Sequence, residues 1–412
     1  MRAKGFRRQV YPLVWSRRLE ALVAGFVEVG FEEVRDGFAR AHEEDEGAAQ
    51  LCVYRHGSVV VDLWTGQDPE SGKTWDVDSL TVLMSVSKGM TATCVHILAD
   101  RGLLDLDAPV RDYWPEFAAG GKADVAVTDL LAHRGGLSSF DAEAGIGPQE
   151  LTDWSRCVSA LGSMTPLWQP GTAFYYHSLT WGYLAGELIR RVSGKSVGEF
   201  LAAEIAEPLG LSLWIGLPES QEDRVVPQFT RRHMPGAAEV EAMLSRMGID
   251  VSARLVRATL ATVATRDEGI ALLNTREGHA AEVPSGNGIG NARSLARMFA
   301  ATIGEIDGIR LLTPEAVDRA RQPQTEGLGH PAPLDLMPRG NYFANGYELT
   351  RPAQLLGDGA FGQVGAGGRI GIAHPETGVA LGYTCTNMIG DDTGGPDPRW
   401  LPWSDALRAA LT

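Results

Sequence analysis

The chain has 412 residues, 44% of them hydrophobic, which is enough for a large core and, by length alone, two or three domain-sized units. Its 37 basic and 52 acidic residues leave a net charge of −15, which argues against nucleic acid or an anionic membrane surface as partner. Cys52, Cys94, Cys157 and Cys385 show no C-x-x-C spacing and the nine histidines no H-x-x-x-H or H-E-x-x-H pattern, so neither a metal site nor a cofactor is expected. Met1 to Arg18 is basic, and its longest apolar piece, Val10 to Trp15, is short for the apolar region of a signal peptide. No stretch approaches the length of a membrane span. Scattered thiols and no export signal lead to the expectation of a soluble cytoplasmic protein.

Residues 17–43 read as an amphipathic helix that ends in the acidic run Glu43-Glu44-Asp45-Glu46-Gly47. Gln50 to Tyr54, a turn at 55–58, and Val59 to Trp64 read as a β-hairpin. An apolar-periodic helix runs from Ser85 to about Ala99 and is closed by Gly102. Helical pieces with Pro and Gly breaks fill 103–280, among them Val127 to Ala132, Leu179 to Val192 and Ser196 to Ile205. Asn291 opens a further helix to about Ile303. Arg369 to Ala373 and Val379 to Thr386 flank a turn as a second hairpin, and Pro402 to Leu411 reads as a final helix. Strands at both ends with helices between predict an α/β (α+β) fold: one sheet domain from 1–105 and 285–412, with a mostly helical insertion over 106–284.

The most informative residues are Ser85-Val86-Ser87-Lys88. A serine and a lysine three residues apart on the first turn of a helix share a face. A serine hydroxyl is a weak nucleophile until a base takes its proton, and a desolvated lysine can be that base. Acyl transfer also needs a proton shuttle to the leaving group and an oxyanion hole. Pro170 to Ser178 is a Pro-Gly turn running into aromatic residues before a helix, and a tyrosine near a cationic lysine there would have a depressed pKa. Phe361 to Gly368 is Gly-rich backbone before a strand, where main-chain N–H groups can approach a substrate closely.

Together these pieces resemble the serine β-lactamase and penicillin-binding protein superfamily, closest to class C β-lactamases and family VIII carboxylesterases. Ser85-x-x-Lys88 matches the first motif, Tyr176-His177-Ser178 the Tyr-x-Asn motif, and Gln363-Val364-Gly365 the Lys-Thr-Gly position. The stretches 30–64, 100–110, 130–137 and 288–294 also resemble the family, in the right order. The resemblance implies a β-lactamase-like fold with an antiparallel sheet flanked by helices. It implies Ser85 as nucleophile, Lys88 and Tyr176 as proton carriers, the backbone N–H groups of Ser85 and Ala366 as oxyanion hole, and His177, Ser178, Gln363 and Gly365 at the substrate. Two departures bear on specificity. Neutral Gln363 stands where the family places a cation for a substrate carboxylate, and Ser178 replaces the Asn that supports β-lactam amide recognition.

Gly194-Lys195-Ser196-Val197-Gly198 matches the G-x-S-x-G nucleophile elbow, but a helical run precedes it, so Gly194 reads as a C-cap and Ser196 as an N-cap. His133 reads as a hydrogen-bonded structural histidine. The tryptophans at 154, 168, 181 and 214 are core with one or two walling an acyl pocket, and the 325–345 stretch is a loop wall. The leading expectation is a carboxylesterase acting through a Ser85 acyl-enzyme on a small-molecule ester. An acyltransferase using the same acyl-enzyme is the alternative, and a β-lactamase or DD-peptidase stands behind both. A non-catalytic binding role on the same fold is disfavoured by the intact Ser, Lys and Tyr set.

Overall fold

The structure is a computed structural model that describes residues 23–338, 340–389 and 395–411. Among the described residues, nine strands form two sheets: β1 Ala24–Val27, β2 Ala49–Arg55, β3 Ser58–Thr65, β4 Thr81–Val82, β5 Leu213–Trp214, β6 Ile289–Gly290, β7 Phe361–Gly365, β8 Arg369–His374 and β9 Val379–Cys385. The large sheet is antiparallel with the order β1-β3-β2-β9-β8-β7, so the N-terminal hairpin zips onto the C-terminal one through β2 and β9. β4, β6 and β5 make a small second sheet beside it.

Two layers of helix cover the large sheet. On one face lie α1 Glu32–Ala41 and the helix Leu401–Leu411, where Val34, Phe38 and Trp403 pack on Leu51, Val53, Ile370 and Leu381. The larger core belongs to α2 Val86–Asp100 and the helix Ala292–Ile303, with Met90, Val95, Leu295 and Phe299 among its buried residues. α2 is buried all round from Val86 to Leu98, which marks it as a central core helix rather than a surface one. Between 106 and 284 the chain carries helices, among them α3 Val127–Leu131, α4 Trp154–Ser163, α5 Thr180–Ser193 and α6 Val197–Leu201, and the short strand β5. No helix among the described residues is long and apolar enough to cross a membrane.

Two sequence expectations need correction. The helix expected over 17–43 is confined to α1; Ala24–Val27 is instead the edge strand β1, paired with β3 from Ala24↔Trp64 to Val27↔Val61, and the part before residue 23 lies outside the described residues. Sheet pairing here overrides helical periodicity. The Gly-rich segment expected to precede a strand is itself strand β7 from Phe361 to Gly365, hydrogen-bonded to β8.

Candidate active site

Ser85 stands at the N-cap of α2 with helical backbone angles, φ −64° and ψ −7°, and its hydroxyl makes no capping bond. The preceding residue, Met84, has φ +51°, a left-handed conformation that is strained for a side chain of this size. That kink sets Ser85 at the end of the helix. Ser87 locks the turn: its hydroxyl donates to the Met84 carbonyl and accepts from the Gly288 N–H at 2.8 Å. Ser87 is therefore a buried brace, not a wall of the site.

Lys88 is fully buried, and its Nζ lies 3.2 Å from Ser85 Oγ and donates to the Ser285 carbonyl at 3.0 Å. No carboxylate among the described residues pairs with it. Burial lowers its pKa well below that of an ordinary lysine, which favours the neutral amine beside Ser85.

Tyr176 lies over the same amine, with Nζ 4.7 Å from its ring centroid, and its hydroxyl hydrogen-bonds with Ser85. The depressed tyrosine pKa expected from the sequence is contradicted. Burial pushes Tyr176 well above its usual value, and the neighbouring lysine is itself neutral and supplies little opposing charge. Tyr176 is thus a phenol with a proton to give. Its ring stacks on Phe343, at 5.6 Å and 23°, and packs against His133 at 4.8 Å.

His177 does not face the substrate. It is fully buried; Nε2 accepts from the Leu137 N–H at 3.1 Å, which leaves Nδ1 to donate to the Tyr175 carbonyl at 2.7 Å. Both nitrogens are spent on main chain, and burial lowers its pKa to about 3, so it stays neutral. His133 completes the support, accepting the His177 N–H on Nδ1 and the Tyr175 N–H on its carbonyl. Ser178 is half-buried and its hydroxyl has no hydrogen-bond partner among the described residues.

β7 closes the other side. Gln363 is buried against α2, and its amide donates to the Val364 carbonyl at 3.3 Å, a long bond that holds it weakly. Gly365 passes so near the Ser85 turn that a Cβ there would sit 2.5 Å from the Leu83 carbonyl oxygen; any side chain would push the strand away from that turn. The exposed Ala366 follows, and neither its N–H nor that of Ser85 has an acceptor among the described residues. A cleft of about 170 Å³ opens beside this turn, lined by Arg351, Val364, Ala366, Met388 and Trp400, with Ser85 outside its walls.

The fold thus gathers Ser85, Lys88, Tyr176, Gln363 and Gly365 from segments far apart in the chain and turns His177 away. Sequence reasoning missed the Ser285 carbonyl, the strain at Met84, Phe343 under Tyr176, and the buried Glu348–Arg351 pair, whose charges act on Tyr176. A main-chain carbonyl carries no residue signature, so the Ser285 contact left no trace in the sequence. Among the described residues no group of histidine, cysteine, aspartate and glutamate side chains is arranged to hold a metal ion.

The family model described as Beta-lactamase matches residues 20–400. The chain belongs to the beta-lactamase family. Within this family, it is 37% identical over 348 residues to the "Esterase/beta-lactamase LipL" of Mycobacterium tuberculosis, spanning 83% of this chain and 78% of that protein. A family VIII carboxylesterase crystal structure superposes with a TM-score of 0.80 at 31% identity, covering 94% of this chain and 99% of that one. A penicillin-binding protein homologue from Caulobacter crescentus gives 0.79 at 32% identity over 94% and 99% of the two chains. The beta-lactamase family fold therefore accounts for the antiparallel sheet and its flanking helices.

Proposed function

We propose that this beta-lactamase-family protein is a serine hydrolase of small carboxylic esters, working through an acyl-enzyme on Ser85. The observation that carries this reading is a fully buried Lys88 amine 3.2 Å from a serine hydroxyl that has no capping bond. Lys88 takes the proton of Ser85 as Oγ attacks the ester carbonyl, and the oxyanion forms against the N–H groups of Ser85 and Ala366. The tetrahedral intermediate collapses as Tyr176 protonates the leaving alkoxide, and the Lys88 ammonium restores the phenol proton. Water then repeats the sequence in reverse, passing a proton to Lys88 as it attacks the acyl group, and Ser85 recovers its own.

The neutral Gln363 and the small Ser178 support an ester over a β-lactam or peptide carrying a carboxylate. The esterase names of the relatives point the same way. Four unpaired, buried cysteines support the cytoplasm as its compartment. Intact-protein mass after mixing with a short-chain nitrophenyl ester, followed by peptide mapping, tests the reading. An acyl group on Ser85 is expected; adduct on any other residue, or turnover by a Ser85→Ala variant, removes it. Adding an amine acceptor in the same experiment measures how the acyl-enzyme partitions. Release of free acid in preference to amide is expected of a hydrolase, whereas amide as the main product would make the protein an acyltransferase.

A further inference from the structure

The oxyanion turn is held from behind by a buried cluster of charges. In the peptide joining Gly365 to Ala366, the carbonyl accepts from the Gly368 N–H at 3.2 Å. A trans peptide places its N–H opposite its C=O, so this bond aims the Ala366 N–H out of the turn. The next three carbonyls each have a side-chain donor. Ala366 accepts from Arg369 Nη1 at 2.9 Å, Gly367 from Arg399 Nη2 at 2.6 Å, and Gly368 from Trp400 Nε1 at 2.8 Å.

Arg399 is itself immobilised. It is 3% exposed, donates from Nε and Nη2 to the Asp397 carboxylate at 3.0 and 2.7 Å, and from Nη1 to Asp45 Oδ2 and the Asn387 carbonyl, both at 3.0 Å. Asp45 in turn accepts from Asn387 Nδ2 at 2.7 Å and from the Gly47 N–H at 3.0 Å. Arg369 is tied to Gln228 Oε1 at 3.1 Å. The fit is tight: a Cβ on Gly368, whose φ is +100°, would fall 2.2 Å from Asp397 Oδ2.

Burying such charges costs desolvation that hydrophobic side chains would avoid, so stability is a poor reason for the cluster. Position is a better one. Three of the four residues from 365 to 368 are glycine, the residue with the most backbone freedom to lose. An oxyanion hole works only when its donors are fixed before charge develops.

We propose that Arg399, together with Trp400 and Arg369, positions the Ala366 N–H for oxyanion stabilisation by holding the carbonyls of its turn. These are positioning residues that do not touch substrate. The proposal rests on the acyl-enzyme reading above, which the wild-type mass experiment settles first: absence of a Ser85 adduct would defeat that reading and leave the brace without a reaction to serve.

With the adduct established, Trp400→Phe and Arg399→Lys are the informative variants. Trp400→Phe removes one donor and keeps most of the ring. Arg399→Lys keeps the charge near Asp45 and Asp397 but loses the fork. Arg399→Ala would strand two buried carboxylates and is avoided. In folded protein, with active sites titrated, kcat should fall by about tenfold for Trp400→Phe and about a hundredfold for Arg399→Lys, with KM within about twofold. The rate of inactivation by a phosphonate ester, whose phosphoryl oxygen occupies the hole, should fall in step with kcat/KM. Lower melting temperatures with unchanged kcat in both variants would overturn the proposal. If Arg399→Lys does not fold, Trp400→Phe alone decides by the same criterion.

Discussion

Two serines of this chain stand at the N-cap of a helix, and only one is free to react. Ser196 begins α6 with extended backbone angles, accepts the Glu199 N–H at 3.2 Å, and donates its hydroxyl proton to Glu282, whose second oxygen takes the Val197 N–H. Every hydrogen-bonding capacity that would serve catalysis is already spent on the capping box and its neighbour. Ser85 begins α2 with helical angles, makes no capping bond, and meets an uncharged amine and a phenol instead. Both serines fit a named nucleophile motif. The difference lies in which groups surround the hydroxyl, and a buried lysine without a counter-ion is the deciding one.

Substitutions test that contrast, the largest effect first. Ser85→Ala should remove turnover, a loss of at least about 10³-fold, while the thermal midpoint stays near wild type; surviving turnover would erase the distinction between the two serines. Lys88→Met should approach the same loss in single-turnover acylation with a nitrophenyl ester. It also sharpens the electrostatic argument. With Lys88 neutral in the fold and protonated when unfolded, the folded state binds fewer protons between the depressed pKa and about 10.4, so wild-type stability falls as pH is lowered through that window. Melting temperatures of wild type and Lys88→Met should therefore converge, or cross in favour of wild type, as pH rises from 7 to 10.

Tyr176→Phe comes next, with an expected loss of roughly 10²–10⁴-fold in kcat for a proton donor. The loss should be smaller with a nitrophenolate leaving group, which needs little protonation, than with an alkyl alcohol. The pH profile separates phenol from phenolate: kcat/KM should rise through the depressed pKa of Lys88 and remain flat to about pH 10, because burial raises Tyr176. An alkaline limb below pH 9 that disappears in Tyr176→Phe would contradict that assignment. Ser196→Ala is the smallest effect. It should leave kcat/KM unchanged and cost about 0.5–2 kcal/mol in denaturant unfolding for the lost cap.

Much of the architecture was legible because it is written in local pattern. Apolar and β-branched segments flanking turns in 50–64 and 369–386 give the two hairpins, the apolar-periodic run after Ser85 gives a core helix, and Asn291 caps the helix it opens, accepting the Ser294 N–H at 2.9 Å. Legibility failed where a distant partner decides. β1 looks helical until β3 supplies an edge to pair with, and β7 looks like a loop because its glycines serve close approach to the Leu83 carbonyl rather than propensity.

The candidate site divides along the same line. Residue pattern, with the family resemblance it carries, named Ser85, Lys88 and Tyr176 as candidates and set aside Ser196, and the fold brings the three candidates together. The pKa shifts could not be read that way. Burial lowers the pKa of Lys88 and raises that of Tyr176, and His177 is lost to the substrate because the Leu137 N–H and Tyr175 carbonyl claim its nitrogens. Desolvation and main-chain hydrogen bonding depend on what packs around a group, and only the folded chain brings Ser285, Phe343 and Arg399 to where they act.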